Sequence, residues 1–166
     1  MAKIKFLKID NEAVLPKYAH KGDACMDIHV LVNEKNRPFV FTETGDKDEV
    51  QMIFDSVMLC PQQTLVFHTG LKCATEQGFG MRIYVRSSTG IKRGLKLAND
   101  TAIIDTATYR GELLIALTNQ TDKVQEVKHL DKLVQAEIFK IEDVEIEEVS
   151  ELDDTERGEG GIGSTT

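Results

Sequence analysis

The apolar residues of this chain fall in short runs, each closed off by turn-forming or charged residues, and that punctuation constrains the fold more than any other feature. The runs cover residues 2–9, 26–32, 65–67, 81–85, 113–117, 124–127, 133–141 and 144–149. Runs so short read as β-strands, because a globular helix needs a longer amphipathic stretch. Val144-Glu145-Ile146-Glu147 alternates and predicts a strand with one wet face, whereas Leu113-Leu114-Ile115-Ala116-Leu117 is apolar throughout and predicts a buried one. So many strands in a small chain predict an all-β jelly roll or sandwich with at most one short helix. The candidate for that helix holds Val50, Ile53, Phe54 and Val57 on one side, and the same stretch also reads as a strand pair in a longer hairpin.

With 166 residues, 41% of them hydrophobic, the chain can bury one ordinary core, and residues 1–150 are assigned to a single β domain. Residues 33–55 hold turn formers and charges and read as an excursion from that core, a place where a protein partner could bind. Residues 151–166 form a tail. Its last ten residues carry four glycines and no large side chain except Arg157 and Ile162, so it is expected to stay mobile until something binds it.

The net charge of −8 sets the whole molecule against a phosphate backbone, which argues against general nucleic-acid binding. A small phosphorylated ligand is still allowed, because a few Arg, Lys and N–H groups make a local positive pocket, especially around Mg²⁺. Cys25, Cys60 and Cys73 are odd in number and far apart, with no metal-ligand spacing, so no zinc site is expected. The start, Met1-Ala2-Lys3-Ile4-Lys5-Phe6, lacks the apolar core of a signal peptide. No run approaches the roughly 20 apolar residues that cross a bilayer. Reduced thiols and no membrane contact point to the cytoplasm.

Three constellations could carry chemistry. Arg86-Ser87-Ser88-Thr89-Gly90 follows an alternating strand and offers a guanidinium, three hydroxyls and a glycine, the equipment of a phosphate-holding turn, although serine-rich turns are also common for plain structural reasons. Asp105 follows Ile103 and Ile104, which suggests a carboxylate partly desolvated at the end of a buried strand, as a general base needs, or simply a turn aspartate. The tail Arg157-Gly158-Glu159-Gly160-Gly161-Ile162-Gly163-Ser164-Thr165 contains G-x-G-x-x-G, but no helix can follow it, so it is either a flap for a triphosphate or an ordinary terminus.

These pieces stand in the order seen in the trimeric dUTPase (deoxyuridine triphosphatase) family. Ala24-Cys25-Met26-Asp27-Ile28 resembles its first motif, Arg86-Ser87-Ser88-Thr89-Gly90-Ile91-Lys92-Arg93-Gly94-Leu95 the second, and Ile104-Asp105 with Tyr109-Arg110-Gly111-Glu112 the third. Asp131-Lys132-Leu133-Val134-Gln135 looks like the fourth and the glycine-rich tail the fifth. The resemblance implies a dUTPase-like β jelly roll (β-clip) forming a three-fold homotrimer with shared active sites, the tail reaching a neighbour's site. It implies Mg²⁺-assisted water attack on the α-phosphate of dUTP, giving dUMP and pyrophosphate and so supplying dUMP for dTMP synthesis. By position, Asp105 would be the base, Tyr109 would lie under the deoxyribose beside Ile104, and Asn99 would read the uracil edge. Arg86, Ser87, Ser88 and Gln135 would hold phosphates, and Asp27 would act on Mg²⁺ through water. Arg157, Gly161, Ile162, Gly163 and Ser164 would close over the substrate. Ile162 stands where the family usually has Phe, and Cys25 and Ser88 replace glycines; one extra residue between Asp105 and Tyr109 predicts a bulged turn. Two other readings are a dCTP deaminase, alone or bifunctional, which shares the Arg-Ser-Ser turn but has a Glu in the place of Arg110, and a trimeric regulatory scaffold using residues 33–55.

Overall fold

A computed structural model describes residues 3–161. Its strands are β1 (Ile4–Lys8), β2 (Met26–His29), β3 (Phe39–Phe41), β4 (Lys47–Glu49), β5 (Ser56–Leu59), β6 (Thr64–Phe67) and β7 (Leu71–Thr75), then β8 (Phe79–Val85), β9 (Leu95–Leu97), β10 (Ala102–Ile104), β11 (Ile115–Asn119), β12 (Gln125–Lys128) and β13 (Lys132–Lys140). The one helical segment among the described residues is a single wide turn, Ser88–Lys92. Two larger antiparallel sheets, β10-β8-β13-β2 and β4-β3-β6-β11-β9, are joined by the pairs β1-β7 and β12-β5.

Alternation places one side of each strand inside. In β2, Met26 and Ile28 are buried while Asp27 and His29 are half-exposed, and β11 repeats the pattern with Ile115, Leu117 and Asn119 inside. Leu65 and Phe67, Met81 and Ile83, and Val134 and Ala136 from both sheets meet in one fully buried core. The punctuation of the sequence allowed a jelly roll or a sandwich and the family resemblance implied the jelly roll, which is the fold found, with a core that is continuous rather than divided.

Three local expectations are corrected. No helix spans Val50 to Val57. Instead Ile53 and Ser56 exchange backbone hydrogen bonds across a tight turn, with Phe54 at a left-handed φ of 54°, and β5 begins at once. The helical spacing arose because Val50 and Val57 lie on opposite sides of that turn and both pack against the core. Residues 144–149 are not a strand in this chain: they alternate, but no neighbouring strand pairs with them, and residues 141–159 are exposed throughout. Within 113–117 the strand starts only at Ile115, and Leu114 and Ala116 are half-buried, because the outer face of β11 is only partly covered. In residues 33–55, β3 and β4 form a hairpin rooted in the core by Phe39, which is 1% exposed and opposite Val66 of β6.

Candidate active site

The register of the β10-β8-β13-β2 sheet decides which side chains meet. Gln135 lies opposite both Tyr84 of β8 and Asp27 of β2, so three residues distant in sequence form one row across the sheet. Where β8 ends, Arg86 turns back: its N–H donates to the Leu133 carbonyl, its Nη1 to the Lys132 carbonyl, and its Nε pairs with Asp27 Oδ1 at 2.8 Å. Lys132 Nζ stands 3.5 Å from the other Asp27 oxygen. Ser87 and Ser88 open the helical turn, both exposed, and the Ser87 side chain makes no capping bond to it. Together Asp27, Arg86, Ser87, Ser88 and Gln135, with Asp23 and Cys25, line a cavity of about 550 Å³. The sequence reading thus brought five of its expected residues into one pocket.

His29 escaped that reading. It is two residues beyond Asp27 on the same face of β2, and its Nδ1 is buried without a partner among the described residues. Burial, with Lys132 and Arg86 nearby, pushes its pKa below the ordinary 6.5 against the opposing pull of Asp27, so the imidazole is neutral at neutral pH. A lone histidine in a β-strand carries no signal that would have singled it out.

Asp105 and its companions stand elsewhere. Strand β10 is an edge strand paired only with β8, where Ile104 lies opposite Met81. Asp105 therefore follows at the level of Gly80, whereas Arg86 follows the far end of β8 at Val85. Six residue steps separate 80 from 86, or ~20 Å at ~3.3 Å per step. The expected desolvation of Asp105 is absent in the single chain: it is exposed, and Ile103 beside it is 62% exposed, because an edge strand has one bare flank.

The loop after Asp105 is densely hydrogen-bonded. The Asp105 carbonyl accepts from the N–H groups of both Thr108 and Tyr109, which absorbs the extra residue as a wide turn. Arg110 donates to the carbonyls of Thr106, Ala107 and Tyr109. Thr106 is buried and bonded to Thr75. Tyr109 folds back over Gly111 and donates its hydroxyl to the Glu112 carbonyl at 3.0 Å. Asn99 lies in the exposed turn before β10, at the opposite end of that strand from Asp105. In the tail, Arg157 Nε donates to the Gly160 carbonyl and both Arg157 and Gly161 are exposed, while Ile162, Gly163 and Ser164 lie outside the described residues. No helix among the described residues is long and apolar enough to cross a membrane, and no group of three or more His, Cys, Asp and Glu gathers there at metal-holding distance.

Comparison with known proteins gives the chain its relatives. The dUTPase family model matches residues 53–166. The deoxyuridine 5'-triphosphate nucleotidohydrolase of Nautilia profundicola is 32% identical over 163 residues, covering 98% of both chains. That of Corynebacterium glutamicum is 33% identical over 166 residues, covering 99% of this chain and 95% of the relative. Among solved structures, a mutant dUTPase of Staphylococcus bacteriophage 80alpha with dUpNHpp superposes with a TM-score of 0.74 at 22% identity, covering 98% of this chain and 97% of that one. A mutant dUTPase from phage phi11 of S. aureus, described as coordinating a structural Mg(II) ion, gives 0.68 at 21% identity, with 92% and 99% covered. The family match over most of the chain and the full-length relatives above 30% identity place this chain in the dUTPase family.

Proposed function

We propose that this protein hydrolyses dUTP to dUMP and pyrophosphate as a homotrimer, each active site combining Asp105 of one copy with the Arg86 pocket of another. The observation that carries this is the strand register, Ile104 opposite Met81 with Arg86 past the far end of β8, which at ~3.3 Å per step separates Asp105 from Arg86 by roughly 20 Å. Two P–O–P links cannot bridge such a distance, so one chain cannot hold the phosphates of a nucleotide and attack its α-phosphorus with the same molecule. A neighbour across a three-fold axis can, and its arrival would also cover the bare flank of β10.

In the assembled site the Asp105 carboxylate accepts a proton from a water molecule as that oxygen bonds to the α-phosphorus. The bond from the α-phosphorus to its bridging oxygen breaks, and the electron pair leaves with pyrophosphate. Arg86, Ser87, Ser88 and Gln135 would receive that charge through hydrogen bonds, which lowers the barrier most when the donors are fixed beforehand. Arg86 is so fixed, by Asp27 and by the Lys132 carbonyl. Tyr109 would lie beneath the deoxyribose beside Ile104, and Asn99 would read the base of a nucleoside laid along β10. Arg157, Gly161, Ile162, Gly163 and Ser164 would close over the triphosphate from a neighbouring tail, excluding bulk water.

The donor set suits Mg²⁺ delivered with the nucleotide. Mg²⁺ keeps several waters and takes one or two carboxylates plus substrate phosphates, and the pocket offers Asp27 and Asp23 rather than a closed cage. Bound there, Mg²⁺ would neutralise phosphate charge, with Asp27 reaching it through water. Deamination fits the loop less well, since Arg110 occupies the place of the required carboxylate and is committed to three backbone carbonyls. Pyrophosphate and ammonia release measured across dUTP, dTTP, dCTP and UTP, with and without Mg²⁺, tests the proposal. Mg²⁺-dependent pyrophosphate release confined to dUTP is expected, and ammonia from dCTP would overturn it.

A further inference from the structure

Glu112 lies in none of the roles assigned above, yet it is one of the most constrained carboxylates in the chain. Its Oε1 accepts the backbone N–H of Thr69 at 3.1 Å and of Gly70 at 2.8 Å, and its Oε2 pairs with His68 Nδ1 at 2.8 Å. Both side chains are largely covered, at 16% and 21% exposure. Burial, the largest single influence, favours the neutral acid, but the bonds from His68 and the two N–H groups together outweigh it and hold the pKa below 4.5, so the carboxylate is ionised at neutral pH.

The turn that receives it is itself closely packed. Gly70 has a φ of +66°, and a Cβ there would come within 2.7 Å of Leu31 and 2.9 Å of Ala13, so this stretch of backbone is wedged against the core. From Glu112 the connection runs outward in one step, because its own carbonyl is the acceptor that holds the Tyr109 hydroxyl. The aromatic ring is pressed on Gly111 so closely that a Cβ at that position would sit 2.1 Å from the Tyr109 hydroxyl oxygen. The Tyr109 hydroxyl is therefore tied to a core turn through the largely covered Glu112 carboxylate.

We propose that Glu112 is a positioning residue for sugar selection, fixing the carbonyl on which Tyr109 is held and thereby the surface that rejects a 2′-hydroxyl. This rests on the reading of Tyr109 as the residue beneath the deoxyribose. Glu112→Gln keeps an Oε1 for both N–H groups and offers an amide to the other tautomer of His68, so it should preserve the geometry. Glu112→Ala leaves two N–H groups unmet and frees the carbonyl to shift. A displacement near 1 Å costs ~100-fold in a positioned reaction.

The test is kcat/KM for dUTP and for UTP, with Mg²⁺, in the full chain. Glu112→Ala should lose about 10- to 100-fold on dUTP and little on UTP, narrowing the preference by that factor, while Glu112→Gln should stay within about threefold of the parent. Tyr109→Phe, which removes the hydroxyl at an exposed position, should narrow the preference in the same sense and decides the matter if Glu112→Ala does not fold. A merely structural role lowers both substrates equally and leaves the ratio fixed, and that result in Glu112→Ala, or in Tyr109→Phe where the former fails to fold, overturns the inference. A parent protein with no preference for dUTP over UTP overturns the reading of Tyr109 and this inference with it. A selective parent whose ratio survives Glu112→Ala removes this inference alone.

Discussion

Mixing two crippled chains should restore activity that neither has by itself. Asp105→Asn removes the proposed acceptor of the water's proton, and Arg86→Ala removes the guanidinium that pairs with Asp27 in the proposed phosphate pocket. Because ~20 Å of β8 separates the two positions within one chain, each proposed site draws its Asp105 and its Arg86 from different copies. In trimers formed at random from equal amounts of the two variants, a site has probability one half of an intact Asp105 and an independent one half of an intact Arg86. About one quarter of the sites are then whole, and the mixture should show about 25% of parental activity per subunit, whereas each pure variant is left with a small residue. The assay is pyrophosphate release after joint unfolding and refolding of the variants, against a control in which separately folded trimers are mixed without exchange. Complementation absent after exchange has been verified would refute the separation argument, since a site complete within one chain yields no intact copy from two broken ones.

Other consequences follow from packing and protonation. Gly70→Ala should destabilise by about 2–5 kcal/mol, combining a left-handed backbone with a Cβ forced against Leu31 and Ala13. Gly78→Ala, with φ +85° and nothing within 4 Å of its Cβ, should cost only about 1–2 kcal/mol. Equal shifts in urea midpoint would show that the wedge at Gly70 is not a real constraint. Glu112 has its folded pKa held below 4.5, so its stabilising contribution is complete above that value and is lost as pH falls through the lower folded value. Urea midpoints should accordingly fall more steeply with acidification for the parent than for Glu112→Gln, and parallel curves would contradict the assignment. Cys73 is 5% exposed, and burial pushes its thiol up to about 11, whereas Cys60 is exposed. Iodoacetamide at pH ~8 should label Cys60 in the native protein and spare Cys73, as peptide mass mapping will show.

The sequence disclosed those strands whose burial has a simple period. Runs at 65–67 and 81–85 lie on strands, and those at 26–32, 124–127 and 133–141 lie on them in part, β2 ending at His29, β12 starting at Gln125 and β13 ending at Lys140, because their inward residues meet the shared core and the outward ones do not. The three-residue strands β3, β4, β9 and β10 are too short for any period to show, and Lys47–Glu49 has no apolar residue at all: its place comes from pairing with β3. The pocket was readable only in pieces. Asp27 and Gln135 become neighbours through a ladder register that no local pattern encodes, and the family motif order was the sole guide to them. Glu112 offered one faint signal, an acid placed directly between a glycine and an apolar run, where its side chain must either reach solvent or find buried donors.

The features that look like defects in the isolated chain are of one kind. Asp105, the proposed base, is an exposed carboxylate, β10 is a bare edge with Ile103 open to solvent, and residues 144–149 alternate like a strand without pairing as one. An unpaired edge invites association with another chain, which folded proteins prevent by covering the edge or by blunting it through shortness, charge or proline. Ala102-Ile103-Ile104 carries neither charge nor proline and is blunted by its shortness alone. Residues 144–152 present four apolar side chains, Val144, Ile146, Val149 and Leu152, that are 50–93% exposed, which a self-sufficient monomer would not favour. Each of these surfaces is unmet for the same reason if one copy is a third of the working enzyme. Shielding of the base, closure of the edge and seating of the tail then become a single event, and catalysis should vanish on dilution below the assembly range even while the jelly roll itself stays folded.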